Sequence, residues 1–363
     1  MTRLALLGSP VDGALSPVLH RAAYAAIGLP WTYHAIECQP QDLPHFLGTF
    51  DGSWRGFSLT MPLKQTVVPL LDEVSDTVTR IGAANTIVVT PSGRLLGENT
   101  DLYGVMQALR EADVTTATTV TVLGAGATAS TALAAGRELG CDQAVVIARD
   151  TGRASFLLRP TAERIGIRIS IKPWTAVDHH LAVDLVVSAL PPHAADALAS
   201  LWTPGTGTLM DVVYRPWPSR FAHAAQEAGR RVVGGLPMLV HQAARQVVLP
   251  DGILPSAGHR DAAGWSVRDP PSRVRTGHAI PKEEPSVPAR PMTVRSDSTS
   301  GRRAIRAIRE VPIPDCTIKA SGIASDGRVR AGRLIGEPFD PTHRGVATRC
   351  STCLLGEPIP SDA

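Results

Sequence analysis

The stretch TTVTVLGAGATASTALAAGRELG, residues 118–140, constrains the fold more than any other. A β-branched apolar run ends in Gly124-Ala125-Gly126-Ala127-Thr128-Ala129, and an Ala-rich helical stretch follows, closing at Gly140 as a C-cap. Gly124 permits a tight turn, Gly126 lets backbone N–H groups approach a pyrophosphate, and Ala129 fills the third small position. The unpaired N–H groups and the dipole of the helix N-terminus favour an anion there. A strand, a turn and a helix in this order predict the opening unit of a dinucleotide-binding sheet; a Gly-rich turn without ligand is the competing reading.

The rest of the chain to about residue 247 keeps the same alternation. RLALLG, WTYHAIEC and RGFSLTM read as strands. SPVLHRAAYAAIGL reads as a helix, with Ser16 as N-cap and Pro17 at the first helical position. NTIVVTPSGRLLGENTD reads as a hairpin turning at Pro91-Ser92-Gly93. After the glycine-rich turn, QAVVIAR, VDLVVSAL and TLMDVVY supply further strands, and LPMLVHQAARQV a helix carrying Met238, His241, Gln242 and Arg245 within reach of one another. Alternating β and α elements imply helices packed on mainly parallel sheet. The length of 363 residues allows two domains. The expected class is α/β, with a first α/β domain over 1–104, a doubly wound Rossmann domain over 105–235, and a helix over 236–250 returning toward the first domain. Residues 251–363 are dense in Pro, Arg and Ser, without helical or strand period, and are expected to form a low-order tail.

The end of the strand after the glycine-rich turn bears on the choice of dinucleotide. It reads IARDTGR, with Arg149 first, Asp150 next and Arg153 one turn on. A guanidinium fork suits a 2′-phosphate, which favours NADP. Asp150 argues the other way, because a carboxylate there suits a free ribose hydroxyl.

Charge and composition exclude several classes. The net charge of +3 belongs to the tail, so the body shows no polyanion-binding signature. No apolar run approaches the roughly 20 residues that span a bilayer. The N-terminal apolar run is too short for an export signal, and five scattered cysteines fit a reducing cytoplasm. Cys350 and Cys353 form a CxxC without partner ligands, and His179-His180 lacks a third ligand, so no metal site is expected. GRRAIRAIRE can form a short basic helix but lacks interleaved aromatics, and no nucleic-acid role is expected.

The chemistry is carried by FSLTMPLKQT, residues 57–66, where Lys64 stands just past the end of a strand-like run. Reduction of a ketone by a nicotinamide builds negative charge on oxygen, so a proton donor must stand beside it. Lys64 can supply that proton, and Asp101, also just past a strand, can hold the ammonium. Six segments then occur in order: LSPVLH (15–20), SLTMPLK (58–64), GAANT (82–86), GENTD (97–101), DVVY (211–214) and GLPMLVHQA (235–243). Together they resemble the shikimate dehydrogenase family over residues 3 to about 247. The resemblance implies an NADP-dependent oxidoreductase that reversibly reduces 3-dehydroshikimate to shikimate, with Lys64 and Asp101 as a proton relay. It implies that the first domain binds substrate, with Ser16, Thr60, Asn85, Tyr214 and Gln242 as contacts. It assigns the cofactor to Gly124 through Ala129, Arg149, Arg153, Ser188, Val212, Gly235 and Met238. The expected partner is a small molecule, with no nucleic acid and no membrane, and the chain acts as monomer or homodimer.

Two departures from the family pattern keep alternatives open. The family's Ser-x-Ser-Pro loop reads Ala14-Leu15-Ser16-Pro17, preceded by Gly13. One hydroxyl toward the substrate carboxylate is therefore missing, and such a bond contributes roughly 1.5–3 kcal/mol. Quinate or an aminated analogue is the alternative substrate, and a non-catalytic NADP-binding relative is the alternative class. The second departure is that, from Val247 onward, the period of the family's closing helices is lost, so their packing on the first domain is expected to be missing.

Overall fold

The computed structural model describes residues 1–249 and 298–311. Two six-stranded sheets are built in succession. The first takes β1 (Arg3–Gly8), β2 (Thr32–Glu37), β3 (Trp54–Leu59), β4 (Glu73–Val74), β5 (Thr86–Val89) and β6 (Leu95–Glu98). Its helices are α1 (Ser16–Ile27), α2 (Leu43–Thr49), α3 (Leu63–Thr66), α4 (Asp76–Ile81) and α5 (Asp101–Glu111). The strand order is β2-β1-β3-β5-β6-β4, and β5 runs antiparallel to both neighbours, as the predicted hairpin requires.

The second sheet takes β7 (Val120–Leu123), β8 (Gln143–Ala148), β9 (Arg168–Pro173), β10 (Leu185–Ser188), β11 (Thr208–Asp211) and β12 (Arg231–Val233). Its helices are α6 (Ala127–Glu138), α7 (Thr151–Ile165), α8 (Arg220–Glu227) and α9 (Gly235–Val248). All its pairs are parallel, in the order β12-β11-β10-β7-β8-β9. The order in which strands are added reverses between β7 and β10, which is the switch point of a doubly wound sheet, where ligands enter at the carboxyl ends of the strands. The α/β class and the Rossmann unit are thus present. The strands β9 and β12 escape sequence reading because both lie at sheet edges, where β9 shows little burial contrast and β12 spans three residues.

Two local expectations are corrected. Helix α1 begins at Ser16 itself, with Leu15 in the capping position, so the Ser16 hydroxyl caps nothing. Helix α6 ends at Glu138 with Leu139 as C-cap, and Gly140 lies one residue beyond at φ +102°.

A third correction concerns the tail. The expectation of low order over 251–363 lies outside the described residues, except for α10 (Ser298–Arg309), which is helical. Its Ile308 is fully buried and joins Leu19 and Tyr24 of α1 with Val240 and Val247 of α9. GRRAIRAIRE is therefore amphipathic, with isoleucines inward and Arg303 and Arg306 outward. A helix from the tail does pack on the first sheet's layer, although the family period is lost. Cys350 and Cys353 lie outside the described residues. Among the described residues no helix is long and apolar enough to cross a membrane.

Candidate active site

Strand direction decides which loops meet. β1 and β3 are parallel and end together, so the loops after Gly8 and after Leu59 leave the same edge of the first sheet. Gly8 makes this possible, because a Cβ there would strike the Thr60 side chain. Thr60 N–H donates to Leu7 O at 2.9 Å, and Ser9 N–H to Met61 O at 2.9 Å. β5 runs the other way, so the residue before it, Asn85, reaches that edge too. β6 reverses again and delivers Asn99, Thr100 and Asp101. Four segments distant in sequence thereby converge.

Lys64 sits on the single turn α3, held in place where its carbonyl accepts from Ala84 N–H at 2.8 Å. Its Nζ lies 2.6 Å from Asp101 Oδ2, with the two side chains 15% and 5% exposed. In such a buried pair, removing either partner leaves the other without its compensating contact. Asp101 opens α5, where Asn99 Oδ1 accepts from the Asp101 and Leu102 N–H groups. The second carboxylate oxygen, Oδ1, accepts from Asn85 Nδ2 at 2.8 Å. Asn85 Nδ2 also faces Thr100 Oγ1 at 2.9 Å and Gln242 Oε1 at 3.3 Å.

Gln242 arrives from α9, after the second sheet. It can do so because α5 and α9 cross closely at Gly104, where a Cβ would come within 2.6 Å of Met238 O. The structure therefore brings the predicted Lys64, Asp101, Asn85 and Gln242 into one connected cluster. Thr60 lies on the loop just before α3, and Ser16 at the start of α1, buried but with its hydroxyl uncommitted to the helix. Tyr214 follows β11 and crosses from the second sheet to the first loop. It packs with Ala14 against the cluster of Leu15 and Leu19, and its hydroxyl meets the Leu15 backbone. Burial pushes the Tyr214 hydroxyl pKa up, partly offset by Arg215 and by Leu15.

The second sheet presents an anion cradle at its switch point. Gly124 adopts φ +108°, a conformation that other residues rarely take, and Gly126 caps α6. Space is open where a Cβ of Gly126 would project, and no side chain caps the helix. Ala125, Ala127 and Thr128 are partly exposed along this turn, and Ala129 is buried against the sheet. Backbone N–H groups of the first turn are thus free to meet a pyrophosphate. Arg149 and Arg153 are exposed at the end of β8 and in the first turn of α7. Asp150 is the N-cap of α7: its Oδ1 accepts from Arg153 N–H at 2.8 Å. One oxygen of its carboxylate is thereby engaged with the helix, between the exposed Arg149 and Arg153. These residues fit NADP.

Ser188 ends β10, buried and in register with Asp211 of β11. Burial pushes the Asp211 carboxyl up against the hydrogen bond from Ser219, and Asp211 also receives Val213 N–H at 3.2 Å. It thereby shapes the segment that carries Val212 and Tyr214. Gly235 abuts the Val212 backbone so closely that no Cβ fits. Met238 is buried in the core between α5, α6 and α9.

Sequence reading missed Thr86, Asn99, Thr100 and Gln246. The first three stand beside assigned residues in the quoted motifs; Gln246 is signalled only as a second glutamine one turn after Gln242.

Residues 6–87 match the family model described as the shikimate dehydrogenase substrate binding domain. A shikimate dehydrogenase (NADP(+)) from Thermus thermophilus is 36% identical over 264 residues, covering 72% of this chain and 98% of that one. The crystal structure of a shikimate 5-dehydrogenase from Thermus thermophilus in complex with NADP(H) and shikimate aligns at TM-score 0.61 and 36% identity, over 70% of this chain and 95% of that chain. Quinate dehydrogenase from Corynebacterium glutamicum in complex with NAD aligns at TM-score 0.63 and 29% identity, over 69% and 94%. The extent and identity of these matches make the chain a member of the shikimate dehydrogenase family.

Proposed function

We propose that this chain is an NADP-dependent shikimate dehydrogenase that interconverts 3-dehydroshikimate and shikimate. The observation that carries this reading is the Lys64–Asp101 pair, 2.6 Å apart and bonded through Asn85 to Gln242. The unit around the first sheet binds substrate, and the unit around the second binds dinucleotide. The first turn of α6 holds the pyrophosphate, and Arg149 and Arg153 hold the 2′-phosphate. Ser188, Val212, Gly235 and Met238 line the nicotinamide end. Bound there, NADP supplies the hydride chemistry.

The chain's own residues do the rest. Lys64 gives a proton to the carbonyl oxygen on reduction and takes it back on oxidation, while Asp101 keeps the ammonium aimed at that oxygen. Asn85 and Gln242 hydrogen-bond the ring hydroxyls, and Thr60 and Ser16 complete the polar wall. Tyr214, already packed against the loop of Ala14 and Leu15, covers the carboxylate end and excludes water. The lack of a hydroxyl at position 14 favours a second reading within the family, in which quinate or an aminated analogue is preferred.

Steady-state rates from the reduced-nicotinamide absorbance, with shikimate and quinate each against NADP and NAD, test both. Highest kcat/KM for shikimate with NADP supports the first reading; higher kcat/KM for quinate moves the assignment to the second. No turnover with any combination removes both.

A further inference from the structure

We propose that Gln246 and Thr86 form a positioning relay that fixes the Asn85 amide and, through it, the Asp101 carboxylate holding Lys64. This rests on the active site proposed above. The relay starts deep in the first unit. Tyr33 Oη donates to Ser58 Oγ at 2.7 Å, and Ser58 Oγ donates to Gln246 Oε1 at 3.0 Å. Gln246 Nε2 donates to Thr86 Oγ1 at 2.8 Å and to Asn85 O at 3.2 Å. Thr86 Oγ1 donates to Asn85 Oδ1 at 2.9 Å. Asn85 Nδ2 then donates to Asp101 Oδ1, and Lys64 Nζ to Asp101 Oδ2. From Tyr33 to Asp101 every member is buried.

The direction of the chain follows from proton counting. Burial pushes the Tyr33 hydroxyl pKa up, so it remains a donor. Ser58 accepts that hydrogen bond and has one proton of its own, which it directs at Gln246 Oε1. That orients the Gln246 amide with Nε2 toward Thr86. Thr86 in turn has a single proton and, accepting from Nε2, aims it at Asn85 Oδ1. Thr100 N–H reinforces the same end of the amide at 2.8 Å. Asn85 Nδ2 therefore faces Asp101. A flipped Asn85 would set its oxygen against the carboxylate in a buried site, where an unmade hydrogen bond is expensive. Gln246 thus acts through Asn85, one turn along α9 from Gln242, which faces the site.

The test compares Gln246→Leu and Thr86→Val with Thr86→Ser. Both disabling variants should lower kcat for shikimate about tenfold to a hundredfold, as expected when a catalytic group loses its alignment. The KM for NADP should stay within about twofold, because no relay residue lies on the cradle. Thr86→Ser restores the hydroxyl and should restore kcat. The side-chain amide signals of Asn85 in a 1H–15N spectrum, assigned with Asn85→Asp, should shift in Gln246→Leu and Thr86→Val and not in Thr86→Ser. Disabling variants with wild-type kcat and an unshifted Asn85 amide overturn the relay. So does a loss spread equally over NADP binding and thermal stability that Thr86→Ser does not reverse. An inactive wild-type chain overturns the assigned reaction instead, and the amide signals then still decide the relay.

Discussion

Lys64 Nζ and Asp101 Oδ2 meet at 2.6 Å across 37 positions of sequence. Each residue stands just past a strand, and the two strands end at the same sheet edge because β5 turns back between them. The pair is therefore a product of strand direction, and its burial makes each partner dependent on the other. Lys64→Ala should lower kcat by roughly 10²–10⁴. Dinucleotide binding, followed by the fluorescence of the reduced nicotinamide, should be unchanged. Equal rates for wild type and variant would remove Lys64 from the mechanism.

Ala14 and Tyr214 both pack against the cluster around Leu15 and Leu19, and at position 14 the family pattern has a serine. Ala14→Ser adds a hydroxyl that can reach a substrate carboxylate, a bond contributing roughly 1.5–3 kcal/mol. The KM for shikimate should fall about tenfold or more, with kcat nearly constant. Steady-state titration measures this, and an unchanged or higher KM would place the carboxylate elsewhere.

Arg149 and Arg153 are exposed, whereas Asp150 is occupied capping α7. Arg149→Ala and Arg153→Ala should each raise the KM for NADP about tenfold or more, since on the proposed reading each would remove a charged hydrogen bond to the 2′-phosphate. The KM for NAD should move less than twofold. Parallel kinetics with the two dinucleotides decide it; equal losses for both would mean the arginines serve the fold and not selectivity.

His20 is buried on α1, stacked on Tyr33 with ring centroids 4.2 Å apart, and its Nδ1–H donates to Ser16 O at 2.9 Å. Burial lowers its pKa from 6.5 to about 4. On acidification the unfolded chain takes this proton first. Stability is full above pH 6.5 and is lost as pH falls from there through 4, by about 3 kcal/mol in total. Urea unfolding of His20→Asn and wild type across this range should show their stability difference shrinking toward acid. A pH-independent difference would contradict it.

Ile308 of α10 is fully buried against α1 and α9. Beside it, Arg309 and His241 both pair with Glu111. Burial opposes ionisation of Glu111, but His241 and Arg309 hold its carboxyl below the usual range. Ile308→Ala should cost about 3 kcal/mol, read as a lower urea midpoint at unchanged slope. A midpoint equal to wild type would mean that α10 contributes nothing to the folded state.

Periodicity and turn chemistry made much of this molecule legible. Gly124 and Gly126 between an apolar run and an Ala-rich stretch specify strand, turn and helix locally, because few other residues tolerate that backbone path. Reaction chemistry pointed to Lys64 and Asp101, and the resemblance of six ordered motifs implied Asn85 and Gln242. Edge strands β9 and β12 were not legible, as neither carries a clear burial contrast. The capping of α1 by Ser16 was misread, because a serine before a proline looks like a cap whether or not its backbone is already helical.

What only tertiary structure decided is pairing and direction. Sequence names Asp150 and leaves it a competitor for the ribose; the fold commits it to capping α7. Sequence shows isoleucines in an arginine-rich tail segment; only packing against α1 and α9 makes Ile308 a core residue. Gln246 and Thr86 look like ordinary polar residues until strand and helix place them behind Asn85. The physical reason is the same in each case. Local conformation is set by neighbours along the chain, but a buried polar group's partner is set by whichever distant segment satisfies its donors and acceptors.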